Sequence, residues 1–461
     1  MKFPLLENKA FDPKVSEEKV GTAEILLAYL IGPSMTYLLI TSVAGNYLLQ
    51  FYTDVIGVSG LLISAMPLAA KLFSAFTNVM FGKLIDSTNS RQGKARPWIL
   101  ISGILLSVSG ILMYAIPRAS FRLQVIWIIF SYNLFFAGAN NIYLLSHTLM
   151  LPRSTRDHKS RDSLSLVKNV SEAMIPGTLS AVIMPLLVRH FGVGPLAQSN
   201  WFRFMSLLSI MAIPGTLLEY FFSRERVSEE KKKDPIPFFS QLKDCLKYDK
   251  WILIILIFVI KTIDGHLANS SMIYYSNWVL SNSVETGATR QVLLNVIGQF
   301  PLGPGILVLM PLVKKYGKTN LMKYGYLLAA LGSAIVFFSG NDMRIVLAGL
   351  FIKSIGSITG YLSMSLLSDV LDGFEKKFGY RCDTFSITCT TLISMMGAGI
   401  AQSILLGGIN LFGYVAPSSA SEVIVQSDAI RFFFSFLMSG VPLIGFLISY
   451  YLLMKLNRKE A

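Results

Sequence analysis

The chain has 461 residues, of which 53% are hydrophobic and only 15% charged, and its mean hydropathy is +0.55. A soluble domain carries nearer a quarter charged residues, so the composition excludes an ordinary soluble protein and fits one that lives in a membrane. The net charge of +14 does not point to nucleic acid, because the basic residues lie in short loops between apolar runs.

Residues 1–20 are polar and hold Lys2, Lys9, Lys14 and Lys19. The apolar run that follows is long and lacks a clear small-residue cleavage site, so it is expected to remain as the first span. Further apolar runs bring the predicted spans to 22–49, 59–82, 98–117, 123–151, 163–188, 202–222, 251–280, 288–313, 321–340, 345–371, 383–413 and 428–454. Crossing a ~30 Å hydrocarbon core takes roughly 20 apolar residues. The predicted fold class is therefore an all-α membrane protein with twelve transmembrane helices in two six-helix halves, residues 1–222 and 251–461. Between them, 223–250 carries Lys231, Lys232, Lys233, Pro235 and Pro237 and reads as a cytoplasmic linker.

Orientation follows from counting. With the first residue on the cytoplasmic side, that side holds 30 Lys and Arg, and the other holds seven: Arg118, Arg122, Arg189, Arg203, Arg290, Arg344 and Arg431. Such asymmetry predicts a plasma-membrane protein with both termini cytoplasmic. The halves also echo each other. Span two ends in Gly82-Lys83-Leu84-Ile85-Asp86, and span eight ends in Pro311-Leu312-Val313-Lys314-Lys315-Tyr316-Gly317-Lys318, which suggests an internal repeat.

A charge within a span costs at least ~2.5–3.5 kcal/mol, so each needs a reason. The intramembrane lysines are Lys71, Lys168, Lys261 and Lys353, on spans two, five, seven and ten. The clear acids are Glu172 on span five and Asp264 on span seven, with His266 near the latter. Spans three, six, nine and twelve carry almost none, with Glu219 at the cytoplasmic end of span six. In a two-times-six-helix arrangement every third helix faces lipid and the others line a cavity, so the charges follow the cavity-lining helices. Lys168 and Glu172 share a helix face at i, i+4, and Lys261 and Asp264 share one at i, i+3. These pairs could bind solute and a coupling proton, or only neutralise buried charge. Lys71 and Lys353 could reach solute or snorkel to the cytoplasmic side. Asn78, Asn140 and Asn141 could contact solute or tie helices together.

Cys245, Cys382 and Cys389 are odd in number, have no metal-ligand spacing, and are expected to be reduced thiols. No nucleophile–base pair, metal set or phosphate loop is evident, so an enzyme is not expected.

Three blocks then carry a family resemblance: Tyr52-Thr53-Asp54-Val55-Ile56-Gly57 after span one, GKLIDSTNSRQGKARPW from Gly82 to Trp98, and Ser368-Asp369-Val370-Leu371-Asp372 followed by Glu375 and Arg381-Cys382-Asp383. In this order the chain resembles the glycoside–pentoside–hexuronide:cation symporters, the melibiose permease family. The resemblance implies the major facilitator fold, alternating access about a solute held between the halves, and sugar-like substrates coupled to sodium or protons. It also implies departures. Ser74 and Asn78 stand where the family's cation-binding carboxylates would be, Leu38 and Leu144 where its sugar-binding carboxylates would be, and Met395 at its span-eleven lysine. Lys168 replaces a span-five arginine.

The expectation is a secondary transporter of a sugar-like and anionic solute, with a proton rather than sodium as coupling ion and no other cofactor. Lys168, Asn140, Asn141, Lys261, Lys71 and Lys353 are the candidate solute ligands. Glu172, Asp264 and His266 are the candidate coupling groups. The expected partners are a small solute and the lipid bilayer, with the protein a monomer. An uncoupled facilitator or exporter, and a membrane sensor on the same scaffold, remain open alternatives.

Overall fold

A computed structural model describes residues 8–16, 19–43, 46–58, 61–88, 90–155, 157, 164, 167–168, 170–226, 238–380 and 382–458. Among these the secondary structure is helical, without strands. In a bilayer every backbone N–H and C=O must be paired within its own segment, which long apolar sequences achieve as helices. Among the described residues eleven segments are long and apolar enough to cross: Glu24–Val55, Ser64–Ile85, Arg96–Tyr114, Phe121–Leu151, Val170–Phe191, Pro195–Phe222, Asp249–Trp278, Lys318–Phe338, Met343–Phe378, Phe385–Leu411 and Asp428–Asn457. They correspond to predicted spans one to seven and nine to twelve. Predicted span eight is divided into helices Val284–Gln299 and Leu302–Tyr316, separated by a turn at Phe300 and Pro301. Pro301 has no N–H to donate, so the ladder is interrupted there although the apolar run continues.

Several spans contain a wider π-helical turn: Leu134–Ala139 in span four, Val170–Met174 in span five and Phe436–Gly440 in span twelve. Such turns shift the hydrogen-bond ladder and recur at functional sites. Here they adjoin the charged residues discussed below.

The chain divides into two compact units, 1–58 with 69–231, and 59–68 with 232–461. In the first unit the loop of the second sequence block is tightly fastened. The buried Arg96 guanidinium donates to the Tyr220 carbonyl at 2.6 and 3.1 Å and to Gln92 Oε1 at 3.0 Å. Glu225 accepts from the backbone N–H groups of Lys94, Ala95 and Arg96, and Trp98 Nε1 donates to Thr88 Oγ1 at 2.9 Å.

In the second unit Trp251 donates to Ser386 Oγ at 2.9 Å within a core that includes Met322, Leu366 and Phe374. Lys318, from the basic loop after the split span, pairs with Asp369 of the third sequence block at 2.7 Å. The linker residues Lys231, Lys232, Lys233, Pro235 and Pro237, and Arg381 of the third block, lie outside the described residues.

Candidate functional site

Two polar clusters lie within the spans, one in each unit. In the first, span four presents Tyr143 and His147 one turn apart, span five Lys168 and Glu172, span six Glu219 and span one Tyr37. His147 Nδ1 stands 2.5 Å from Glu219 Oε1, and its Nε2 stands 2.9 Å from Glu172 Oε1. Lys168 Nζ lies 3.5 Å from the same Glu172 oxygen, and Tyr37 donates its hydroxyl to it at 3.1 Å. The Tyr143 hydroxyl donates to Glu219 Oε2 at 3.0 Å, and its ring stacks on the His147 imidazole at 5.5 Å. His147 and Glu219 are fully buried, whereas the Glu172 side chain keeps 22% of its surface open. The cluster thus has one accessible end and one closed end.

The i, i+4 pairing of Lys168 and Glu172 is present as read from their spacing. Sequence reasoning placed no role on His147 and treated span six as a lipid-facing helix. Span six nevertheless turns Glu219 inward. The available signal was the Tyr143/His147 pair at helical spacing on a span already marked by Asn140 and Asn141.

In the second unit a cavity of about 350 Å³ is lined by Lys261, Asp264, Asn269, Asn295, Gln299 and Lys353, among others. Lys261 Nζ lies 3.1 Å from Asp264 Oδ2 and sits 3.4 Å from the Phe446 ring centre, a cation–π contact. Lys353 Nζ donates to the Met438 carbonyl at 3.3 Å, within the π-helical turn of span twelve. The lining therefore holds two lysines against one aspartate. The lysines are delivered by spans seven and ten. His266 is half-buried on span seven and is not one of the residues lining this cavity.

The remaining candidates are placed as follows. Lys71 Nζ lies 4.4 Å from the Phe136 ring centre. Asn141 Nδ2 donates to the Ser74 carbonyl at 2.8 Å and to Thr77 Oγ1 at 3.0 Å, which ties span four to span two. Asn140 is half-buried. The Ser74 hydroxyl and Asn78 Oδ1 are buried without a partner among the described residues. Neither side chain carries a charge.

Residues 29–458 match the family described as MFS/sugar transport protein. The chain is 25% identical over 426 residues to the isoprimeverose transporter of Lactiplantibacillus pentosus, covering 88% of this chain and 83% of that one. It is 24% identical over 417 residues to the glucuronide carrier protein homolog of Escherichia coli (strain K12), covering 88% and 87%. The crystal structure of a D-xylose-proton symporter superposes with a TM-score of 0.60 at 13% identity, over 94% of this chain and 97% of that one, and shares the fold. The chain therefore belongs to the MFS/sugar transport protein family, of the glycoside–pentoside–hexuronide:cation symporter type, and is a multi-pass membrane transporter of sugar-like solutes with the major facilitator fold rather than an enzyme.

Proposed function

We propose that the protein is a proton-coupled secondary transporter whose solute is a monosaccharide-sized sugar acid. The observation that carries this reading is the cavity of the second unit, where Lys261 and Lys353 outnumber Asp264. Asp264 neutralises Lys261, and Lys353 is left with a backbone carbonyl as its hydrogen-bond acceptor. A buried surplus cation is costly, and a carboxylate on the solute relieves that cost while Asn269, Asn295 and Gln299 offer hydrogen bonds to sugar hydroxyls. The E. coli relative named as a glucuronide carrier homolog supports an acidic sugar.

Proton coupling is supported by Glu172 in contact with His147 and Lys168, and by Ser74 and Asn78 where a sodium site would want carboxylates. Neutral oxygens attract sodium weakly at a dry site. The same two residues give the uncoupled facilitator its standing as the second reading. The monomer acts by alternating access, with both termini in the cytoplasm, a topology supported by the basic asymmetry.

The test is uptake into proteoliposomes of labelled glucuronic acid and glucose under imposed proton or sodium gradients. Acid uptake driven by protons is expected. Preference for glucose overturns the anionic solute, and drive by sodium alone at fixed pH and voltage overturns proton coupling. Indifference to both gradients establishes the facilitator.

A further inference from the structure

From Phe432 to Met454 span twelve has no charged residue, yet one of its faces meets Lys261, Asp264 and Lys353, the charges that line the second-unit cavity. Met438, Pro442, Gly445 and Phe446 follow the i, i+4, i+7, i+8 spacing of a helix face, and Met438, Pro442 and Phe446 line the cavity. The Phe446 ring receives the Lys261 ammonium at 3.4 Å. Gly445 lies against Asp264: a Cβ built there would stand 2.5 Å from Asp264 Oδ2 and would crowd the carboxylate that holds Lys261. The Met438 carbonyl accepts from Lys353 Nζ at 3.3 Å. That carbonyl is open to a lysine for a reason written in the chain. In an α-helix it would accept from the N–H four residues on, at position 442. Position 442 is proline, which has no N–H. Just before it the ladder is already widened to five residues, with the Val441 N–H bonded to the Phe436 carbonyl. Backbone acceptors freed in this way inside a membrane are served by neighbouring helices. Here Lys353 of span ten serves one.

The two lysines are therefore held differently. Lys261 has a carboxylate and an aromatic ring, whereas Lys353 has a neutral carbonyl at a long distance. An ammonium binds a carboxylate more strongly than a carbonyl, so Lys353 is the lysine that gains by meeting an anion. We propose that Pro442 is a specificity-determining residue: by withholding an N–H from Met438 it reserves that carbonyl as a holding point for Lys353, which stays within the cavity and exchanges the carbonyl for the carboxylate of the solute. The proposal rests on the anionic solute read above and assigns its carboxylate to Lys353 rather than to Lys261. Pro442 acts through Met438 and Lys353, which makes it a positioning residue. A buried ammonium without an acceptor is costly. Deprived of the carbonyl, Lys353 is drawn to Asp264, the carboxylate that lines the same cavity, and its charge is no longer presented to solute.

The experiment is a double-mutant cycle on the full-length protein in detergent: wild type, Pro442→Ala, Lys353→Met and the two changes together, each titrated calorimetrically with glucuronic acid and with glucose. Alanine supplies the missing N–H and suits a helix, so the fold is expected to be kept. Pro442→Ala alone is expected to lower affinity for glucuronic acid about fivefold and to leave affinity for glucose within about twofold. Added to Lys353→Met it is expected to change neither, because the lysine it acts through is gone. A merely structural proline would weaken both sugars alike, with or without Lys353, and that result overturns the proposal. An unchanged or raised affinity of Pro442→Ala for the acid overturns it as well. Should wild-type protein bind no glucuronic acid, the proposed solute has failed, and thermal melting of the same four proteins without solute decides whether Pro442 holds Lys353 through Met438. The expected signature is a shift in melting temperature on Lys353→Met that differs with and without Pro442→Ala. Equal shifts overturn the link.

Discussion

His147 Nδ1 lies 2.5 Å from Glu219 Oε1, joining spans four and six across 72 residues of sequence. The contact is fully buried, and the Tyr143 hydroxyl completes it from the turn before His147. Removing one member of such a pair leaves the others without partners in a medium that cannot solvate them. Glu219→Leu is expected to destabilise the protein by about 3 kcal/mol, the scale for breaking a buried ion pair from one side. Glu219→Gln keeps an acceptor and is expected to cost less than half as much. Thermal unfolding in detergent ranks them, and equal melting of the two variants would show that the carboxylate does not hold these spans together.

What could be read in the sequence was what is local. Lys168–Glu172 and Lys261–Asp264 are neighbours on one helix face, and helix geometry alone brings each pair together. The spans themselves were legible because crossing a membrane demands length and apolarity, which hydropathy measures. The break at Pro301 was not, because membrane helices often carry a proline and merely bend there, so the residue alone does not decide whether the ladder stops. His147 and Glu219 stayed hidden for a related reason. Their partnership depends on how spans four and six are rotated, and periodicity in one helix carries no information on the rotation of another. Asn141 shows the same limit. Only its donation to the Ser74 carbonyl decides that it ties helices together.

The two clusters give their lysines different work. Lys353→Met removes the surplus charge of the second-unit cavity and leaves Lys261 balanced by Asp264. Affinity for glucuronic acid is expected to fall about tenfold, or 1.4 kcal/mol, while affinity for glucose changes less than about twofold. Lys168→Met instead strips Glu172 of a cation and is expected to disturb coupling more than affinity for the acid. Calorimetric titration of both variants with both sugars checks this. An equal loss for glucose and glucuronic acid on Lys353→Met would remove the charge argument.

Cys245 and Cys382 are both buried, with sulfurs 3.6 Å apart and unbonded. The hydrogen bond to Cys382 and then burial raise the Cys245 thiol well above the ordinary range. A raised thiol stays protonated at pH 8, and the thiol form is the unreactive one. Alkylation of folded Cys245 by iodoacetamide at pH 8 is therefore expected to run at least about a hundredfold slower than that of a free thiol such as glutathione. It should speed up on denaturation. Peptide mass spectrometry after timed labelling reads the rate, and fast labelling of the folded protein would contradict the burial.

Span nine contributes no charge to the cavity, yet it sets where Lys353 stands. A Cβ built on Gly332 would lie 2.3 Å from the Lys353 backbone nitrogen, 2.6 Å from the Gly349 carbonyl oxygen and 2.7 Å from Lys353 Cα. All three are backbone atoms, so no side chain can swing aside, and spans nine and ten must separate to admit a methyl group. Overpacking of this kind typically costs about 1–3 kcal/mol. Gly332→Ala is thus expected to lower the melting temperature and, by carrying span ten outward, to draw Lys353 away from the Met438 carbonyl it donates to. Glucuronic acid affinity should fall with stability in that variant. Gly407→Ala is the matched control, since a Cβ there meets nothing within 4 Å, and helix propensity then favours alanine. It is expected to melt no lower than wild type and to bind the acid as well. Gly332→Ala binding and melting like Gly407→Ala would mean that the close approach of spans nine and ten does not position Lys353, and that the cavity's charge is held by span ten alone.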